Sequence, residues 1–326
     1  MTNTSSPLEA LPTNIKRRLF GLKQLQAKHA ELELEFHTEI LNLEKKYLNL
    51  YSPLYTKRTQ IINGKAEPSE EEVEAGKKAD EDLAQELAKK QEEDPEVQPS
   101  GVPEFWLTVL KNHIQLADLI TTRDEAPLKH LVDVRLVYSD DKLGFQIEFE
   151  FEENEWFTNQ VLTKTYYYQP SAEVGDLISE RSEGTEVSWK EGKDLSVTVE
   201  TKKQRHKATN KTRVVKRTVP TETFFNFFAP IAEEENSSAD EDEVDFSDRL
   251  EADFEIGEAL KQKIIPHAID WYTGKALQYE GFDLDDYEDF EDITDEDEEA
   301  EEVDDSEEEY GTSAPTNQPA PECKQQ

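Results

Sequence analysis

Cysteine is nearly absent from this sequence: Cys323 is the only one among 326 residues. A single cysteine cannot form an internal disulfide, and such scarcity fits a reducing compartment. No apolar run approaches the roughly 18–20 residues that a membrane-spanning helix needs, and the N-terminal segment lacks the apolar stretch of a signal peptide. We therefore expect a soluble, intracellular protein.

The motifs of common enzyme classes are also missing. The chain contains no GxSxG, GxxxxGK[ST], GxGxxG or HExxH motif, and none of its six histidines stands with cysteine at metal-ligand spacing. Carboxylates are so abundant that choosing any two as an acid–base pair is not informative. We expect a protein that is not an enzyme, with no catalytic residues, no metal and no cofactor.

Basic residues are scarce relative to acidic ones: 36 Lys and Arg stand against 75 Asp and Glu, for a net charge of −39. Residues 232–326 carry −30 of this charge, and the segment 282–310 holds nineteen carboxylates without a Lys or Arg. Such a field repels nucleic acid and anionic membranes and attracts strongly basic proteins. We expect no direct nucleic-acid partner and no stable membrane insertion; the alternative is that the acidic segment only keeps the protein soluble.

The N-terminal part of the chain predicts one long helix. After a polar, disordered segment 1–13, apolar residues recur every three or four positions through a predicted helix 14–64, with Pro53 marking a kink or the last turns and Asn63-Gly64 the end. One apolar stripe with charged flanks favours a dimer of two such helices over packing along the chain's own domain. The predicted dimer residues are Leu22, Leu25, Leu32, Phe36, Ile40, Leu43 and Tyr47.

The remaining segments predict an α+β body. Residues 65–100 form a charged, mobile insert with a short helix around 73–90, and Pro103 then opens a helical segment. In the segment 144–152 apolar and polar residues alternate, which predicts a half-buried antiparallel strand whose outer face carries Glu148, Glu150 and Glu152. An α/β domain 101–278 is expected to include an aromatic anchor, "ETFFNFFAP".

Three further features lie in the C-terminal half. Residues 195–219 predict two strands around a turn, residues 232–248 an acidic loop, and the next segment a helix capped by Ser247 or Asp248. Residues 279–326 are expected to be a disordered acidic tail that ends in "CKQQ".

A basic cluster interrupts the acidic sequence on the predicted 195–219 hairpin. We interpret it as a nuclear import signal rather than a nucleic-acid patch, because nucleic acid would approach against the net negative field. A simpler reading is a polar hairpin edge that resists aggregation. The cluster comprises Lys202, Lys203, Arg205, Lys207, Lys211, Arg213, Lys216 and Arg217.

Two short segments suggest trafficking signals. The segment Leu32–Leu43 has the leucine spacing of a nuclear export signal, although the same leucines serve the predicted dimer. Cys323 stands at the C-a-a-X position for prenylation, where the terminal Gln suits farnesyl transfer but Lys324 and Gln325 are not aliphatic.

The sequence resembles the nucleosome assembly protein family of histone chaperones over roughly residues 11–277 and the acidic tail. The resemblance rests on long stretches in family order: "LPTNIKRRLFGLKQLQ", "LEKKYLNLYSPLYTKRTQIINGKAEP", "GVPEFWLTVLKN", "DDKLGFQIEFEFEENEWFTNQVLTKTYYY", "VVKRTVPTETFFNFFAP" and "CKQQ". The basic hairpin and the "CKQQ" end are more similar to the nucleosome assembly branch of the family than to its SET branch.

This resemblance implies an antiparallel homodimer through the long helix, with an α/β "earmuff" domain on each protomer and an acidic underside. It also implies binding of the histone 2A–2B lateral dimer and the central histone 3–4 pair, nucleosome assembly, and shuttling between nucleus and cytoplasm with import and export receptors. The basic hairpin corresponds to the family's import signal and the segment Leu32–Leu43 to its export region.

We expect histones to contact the acidic tail and the carboxylates of the alternating strand. Aromatic residues within the tail can dock on the histone surface while carboxylates meet its basic rim; alternatively, they merely end the last helix. Other readings of the protein are a SET-like phosphatase inhibitor, an acidic signalling scaffold and a generic coiled-coil adaptor. The expected histone-binding residues are Phe282, Asp283, Asp285, Asp286, Tyr287, Glu288, Asp289, Phe290, Glu148, Glu150 and Glu152.

Overall fold

The computed structural model describes residues 11–90, 100–139, 141–205, 212–231 and 239–278; within them, the side chains of 86, 89–90, 200–205, 212–216 and 239–245 are not described. The helices are α1 (Thr13–Ile62), α2 (Glu70–Ala79), α3 (Glu81–Lys90), α4 (Phe105–Asn112), α5 (Ile114–Leu119), α6 (Glu125–Leu128), α7 (Ala239–Ala259) and α8 (Ala268–Thr273). The strands are β1 (Leu131–Val137), β2 (Gly144–Phe151), β3 (Val161–Ser171), β4 (Asp176–Gly184), β5 (Val197–Arg205) and β6 (Thr212–Pro220). A 3-10 helix covers Phe224–Phe228 and a π-helical segment Leu260–Ile264.

Helix α1 has 50 residues, about 75 Å at 1.5 Å per residue, and it continues beyond Pro53 to Ile62. The chain leaves it through Gly64, whose positive φ of 63° favours glycine. A β-carbon there would lie 2.0 Å from the Ser100 Oγ, because the chain returns beside this turn and Val102 N donates to the Ile62 carbonyl at 2.8 Å. The predicted helix and its end are thus confirmed. Among the described residues, no helix combines the length and apolarity needed to cross a bilayer.

The described part of the charged insert contains two helices where the sequence predicted one. Ser69 and Glu72 form a capping box that starts α2 earlier than expected. Asp80 then separates the helices, and its side chain accepts from Leu83 N at 3.1 Å. Ion pairs attach the insert to the body, one between Lys57 and Glu72 and one between Lys275 and Asp80 at 2.7 Å.

Strands β1 to β4 form an antiparallel sheet in that order. On β2, Phe145, Ile147, Phe149 and Phe151 are buried while the residues between them are half-buried, which confirms the predicted alternation. Strand β4 was not predicted, because its sequence "DLISERSEG" is polar on both faces and only Ser182 is buried. Strands β5 and β6 pair separately, from Val197↔Pro220 to Arg205↔Thr212, as predicted; the turn 206–211 lies outside the described residues.

The core lies between the inner face of the sheet, the 3-10 helix, α4, α8 and the π-helical segment. The four phenylalanines of the 3-10 helix are all buried. The Phe149 ring meets Phe228 edge-on with centroids 5.2 Å apart. Asp124 is fully buried and accepts from Phe224 N at 2.9 Å, which fixes the start of the 3-10 helix. The side chains of the predicted aromatic anchor are therefore part of the hydrophobic core.

The structure corrects the second part of the predicted acidic loop 232–248; residues 232–238 lie outside the described residues. Helix α7 begins at Ala239, so 239–248 are helical, and Ser247 and Asp248 lie inside the helix rather than at its cap. The reason is electrostatic: the carboxylates that suggested a loop, in "ADEDE", stand in the first turns, where the helix dipole favours negative charge. A smaller difference is that α4 begins two residues after Pro103.

Candidate functional site

The predicted dimer residues form an exposed apolar stripe on α1, which we call the α1 stripe. Each is between 37% and 66% exposed: Leu22, Leu25, Leu32, Phe36, Ile40, Leu43 and Tyr47. Exposed apolar side chains continue this stripe at Leu50 and Leu54. A row of this length is the kind of surface that a partner helix covers.

A different face of α1 packs on the protomer's own body. Ala30 and Leu41 are buried there, and the turn before β4 rests on Ala30. A β-carbon on Gly175 would lie 2.8 Å from the Ala30 Cα, so only glycine permits this approach. His37 lies 3.5 Å from Asp176 across the same contact. The described part of the body therefore packs on a second face of α1 and leaves the α1 stripe exposed.

The three predicted carboxylates of the β2 segment lie on the outer side of the sheet, and each has a basic neighbour. Arg135 approaches Glu150 at 2.8 Å and Glu148 at 3.5 Å. The Glu152 carboxylate lies 2.7 Å from the His130 Nδ1. Part of their negative charge is thus balanced within the protomer.

A second acidic surface, not found from the sequence, surrounds a cleft of about 510 Å³ between α1, β4 and α7, which we call the acidic cleft. Helix α7 contributes carboxylates at a helical spacing of four and three residues. The sequence shows this spacing. It does not show that β4 lies beside α1, because β4 itself was not predicted. The carboxylates that line the cleft are Glu44, Asp176, Glu251, Glu255 and Glu258.

Hydrogen bonds hold the inner end of the acidic cleft. The Tyr138 hydroxyl donates to Glu44 at 2.8 Å, and the Tyr168 hydroxyl donates to Glu258. Burial, together with the neighbouring carboxylate, raises the pKa of both phenols, so they remain donors. Lys261 lies 2.8 Å from Glu258.

The outer end of the acidic cleft is more open. Glu251 and Glu255 are exposed on α7, and Ser179 of β4 lies on the opposite wall. These two carboxylates can therefore meet a basic side chain from solvent with little desolvation of their own.

The other predicted site residues are placed only in part. The backbone puts Lys202, Lys203 and Arg205 on β5 and Arg213, Lys216 and Arg217 on β6. Lys207, Lys211, Cys323 and the tail residues 282–290 lie outside the described residues. Within the part that is described, no group of three or more His, Cys, Asp or Glu is arranged to hold a metal ion.

Comparison with known proteins gives one consistent family. A family model described as nucleosome assembly protein (NAP) matches residues 17–275. Nucleosome assembly protein 1-like 1-A of Xenopus laevis is 42% identical over 294 residues, covering 85% of this chain and 74% of that protein. Nucleosome assembly protein 1-like 4 of Homo sapiens is 39% identical over 294 residues, covering 84% and 77% respectively.

The fold agrees with that assignment. The solved structure of nucleosome assembly protein 1 from Plasmodium knowlesi aligns with a TM-score of 0.50 and 26% identity, covering 81% of this chain and 98% of that chain. The long α1, the antiparallel sheet and the flanking helices fall within the matched region. This chain belongs to the nucleosome assembly protein family.

Proposed function

We propose that this protein is a homodimeric histone chaperone that binds core histones, shields them from non-specific contacts with DNA and promotes nucleosome assembly. The observation that carries the proposal is the family match over residues 17–275 in a chain whose net charge is −39. Histones are rich in Lys and Arg, and free histones bind DNA through a sequence-independent electrostatic term. A polyanionic protein competes for the same charges and releases the histone when the proper DNA path forms.

The histone-binding surface has two parts in this proposal. The acidic cleft and the outer carboxylates of the β2 segment provide fixed negative charge on the folded body. The segment Phe282–Phe290 provides aromatic side chains among carboxylates, which orient the histone better than charge alone. Both the 2A–2B dimer and the 3–4 pair are proposed partners, because their basic surfaces share this chemistry.

A salt-titrated pull-down with core histones, using lysozyme as a basic control protein, tests the proposal. We expect histones to be retained at near-physiological salt where lysozyme is released, and we expect the protein to prevent histone–DNA aggregation. Equal retention of both proteins, or failure to prevent aggregation, would contradict chaperone activity. Binding and inhibition of a phosphatase without any histone preference would favour the SET-like scaffold.

The tail anchor has its own test. Tyr287→Ala with Phe290→Ala removes two aromatic rings and no charge, so we expect at least a tenfold loss of affinity for the 2A–2B dimer. The matched control is Tyr310→Ala, which removes an aromatic ring at the end of the same acidic run. Unchanged affinity in the double variant would contradict the anchor.

We also propose that the protein moves between nucleus and cytoplasm. The eight basic residues on and around β5 and β6 support an import signal, and the exposed Leu32, Phe36 and Ile40 on α1 support an export signal that dimerisation covers. Prenylation at Cys323 is a further proposal. Mass spectrometry of the protein from its native cells tests the lipid, and nuclear accumulation of a variant with Lys216 and Arg217 both changed to Ala tests the import signal.

A further inference from the structure

Among the described residues, strand β1 forms one edge of the four-stranded sheet and pairs with β2 alone. Glu152 N donates to the His130 carbonyl at 3.0 Å, whereas Phe151 N donates to the Gln160 carbonyl at 2.8 Å. In the β2 segment, the backbone groups of even-numbered residues therefore form hydrogen bonds with β1, and those of odd-numbered residues form them with β3. Because Leu136 stands opposite Ile147, Leu136 directs its own N–H and carbonyl away from the sheet.

Helix α1 bridges this edge at two separated points. The Lys45 Nζ donates to the Ser139 carbonyl at 2.6 Å, and the Asn63 side chain donates to the Val132 carbonyl at 3.3 Å. Between these points lies a cleft of about 500 Å³, here named the α1–β1 cleft. Its walls include Leu48, Asn49, Ser52, Tyr55 and Thr56 from α1 and the residues 133–138 of the β1 segment.

The α1–β1 cleft has the two features that a short extended peptide needs. Half-buried Leu136 offers backbone donor and acceptor groups for strand addition, the mode by which an extended peptide joins a sheet edge. Leu48, Tyr55 and Tyr138 provide an apolar wall for alternate side chains. Ser52 and Asn49 are exposed, so the cleft opens to solvent on the helix side.

The charge of the α1–β1 cleft selects the peptide. Arg135 is already balanced by Glu150 at 2.8 Å. Lys45 and Lys65 line the cleft, and neither forms an ion pair with a carboxylate in the described part of the chain. Asp133, the other carboxylate in the lining, is buried and lies near Arg135 and Arg58. The lining thus carries three basic and two acidic side chains, and because the Debye length at physiological salt is about 8 Å, acidic charge farther away in the chain is largely screened. An acidic ligand fits this cleft better than a basic one.

The α1–β1 cleft also lies away from the α1 stripe. At 100° per residue, Lys45, Ser52 and Thr56 fall on the opposite side of the helix from Ile40, Leu43 and Tyr47. The apolar wall of the cleft also borders a neighbouring cavity lined by Ile40, Leu43 and Tyr47. A partner helix on the α1 stripe therefore contacts the far side of that wall and leaves the exposed side of the cleft at Ser52 and Thr56 open. A ligand in the cleft and a dimer partner can bind at the same time.

We propose that the α1–β1 cleft binds a short, extended, acidic segment of another protein, which adds to β1 as a further strand and places carboxylates on Lys45 and Lys65. This is a second binding site, for a partner of opposite charge to histones. It gives the protein a way to join an acidic protein while its acidic surfaces hold a basic one.

A selection from random eight-residue peptides displayed on phage tests the proposal. The full-length protein is the bait, and the Ser52→Trp variant, which fills the cleft from an exposed helical position, is the counter-bait. We expect the selection to enrich acidic peptides with alternating apolar residues. These peptides should not bind the Ser52→Trp variant. The Asn42→Trp variant, with the same substitution at an exposed position outside the cleft lining, should retain them.

Fluorescence anisotropy with a selected peptide then separates strand addition from simple charge attraction. N-methylation of alternate backbone nitrogens of the peptide should weaken binding at least tenfold in one of the two registers. The protein variant with Lys45→Glu and Lys65→Glu should also bind at least tenfold more weakly, while its circular dichroism stays unchanged. Hydrogen exchange at the Leu136 amide should slow when the peptide is bound. Enrichment of basic peptides, of no peptides, or of peptides that still bind Ser52→Trp and tolerate N-methylation would overturn the proposal.

Discussion

Asp133 is a carboxyl group buried beneath α1, 3% exposed, and burial raises its pKa to about 6 despite Arg135 and Arg58 nearby. The folded protein thus holds this proton more tightly than the unfolded chain, whose ordinary value is about 4. The resulting stability is full below pH 4 and is lost as the pH rises through about 6. Relative to Asp133→Asn, we expect the wild type to lose about 1.3 kcal/mol between pH 5 and pH 7.

Urea unfolding of both proteins at the two pH values measures this difference. Asn can still accept from Val134 N, as the Asp133 Oδ1 does at 3.1 Å, so the variant keeps the local geometry. The exposed Asp141→Asn is the control and should show no such change. A difference between wild type and Asp133→Asn that stays constant with pH would contradict the assignment.

Lys164 is a buried cation, 1% exposed, on the inner face of β3. Its Nζ lies 3.0 Å from Asp253 of α7 and donates to the Phe227 carbonyl at 2.8 Å. Burial lowers the pKa of Lys164, and Asp253 opposes that effect. The pair ties α7 to the sheet at the wall of the acidic cleft, beside Phe254.

Removing one member of this pair leaves an uncompensated buried charge, so Asp253→Leu should cost about 3 kcal/mol or more in unfolding free energy. Changing both residues, Lys164→Met with Asp253→Leu, should cost less than the single change, because no buried charge remains. Urea denaturation checks both, with Glu251→Gln on the exposed face of α7 as a control. A double variant no more stable than the single one would show that the pair acts through packing instead.

How far the sequence predicts this fold depends on the patterning of each segment. The stripe of α1 and the alternation of β2 were readable because the apolar residues of each segment recur at the spacing of one helix face or one strand face. That face is buried in β2 and exposed on α1. Strand β4 was not, since its edge position leaves polar residues on both faces and its burial depends on α1 and α7. The start of α7 was misjudged because carboxylates are equally typical of a loop and of the first turns of a helix.

The candidate site follows the same division. The α1 stripe and the outer carboxylates of the β2 segment were predicted, since each lies on one regular segment. The acidic cleft was not, because it joins Glu44, Asp176 and Glu255 from three segments that are distant in sequence. Nor were the contacts of Arg135 with Glu150 and of His130 with Glu152, two carboxylates that the sequence presented as free.

The exposed α1 stripe leads to a direct prediction about assembly. Phe36 is 54% exposed at the middle of α1, and Phe36→Glu would bury a charge in any helix pair formed there. We expect dimer affinity to fall at least a hundredfold, about 2.7 kcal/mol, while circular dichroism of the protomer stays unchanged. Sedimentation equilibrium measures the association, and Asn42→Glu, at an exposed position off the stripe, is the matched control. If the Phe36→Glu protein stays dimeric, the dimer interface lies on a surface other than the α1 stripe.

The charge of the chain divides almost evenly between residues 1–278, net −19, and residues 279–326, net −20. The first part includes the fixed acidic cleft, and the second includes the proposed aromatic anchor. Charge and aromatic contact make different contributions: charge sets how binding depends on salt, whereas apolar contact strengthens binding at every salt concentration. The two contributions can therefore be measured separately in the full chain.

We expect deletion of residues 279–326 to weaken histone binding and to flatten the dependence of log K on log salt, because about half of the negative charge is removed. Changing Phe282, Tyr287 and Phe290 together to Ala should weaken binding while leaving that dependence unchanged, because no charge is lost. Titrations of the 2A–2B dimer between 100 and 400 mM salt, chosen as about the range over which such contacts dissociate, distinguish the two effects. A deletion variant with the full salt dependence would place the electrostatic contact on the folded body alone, where Glu251 and Glu255 of the acidic cleft would be the next residues to change.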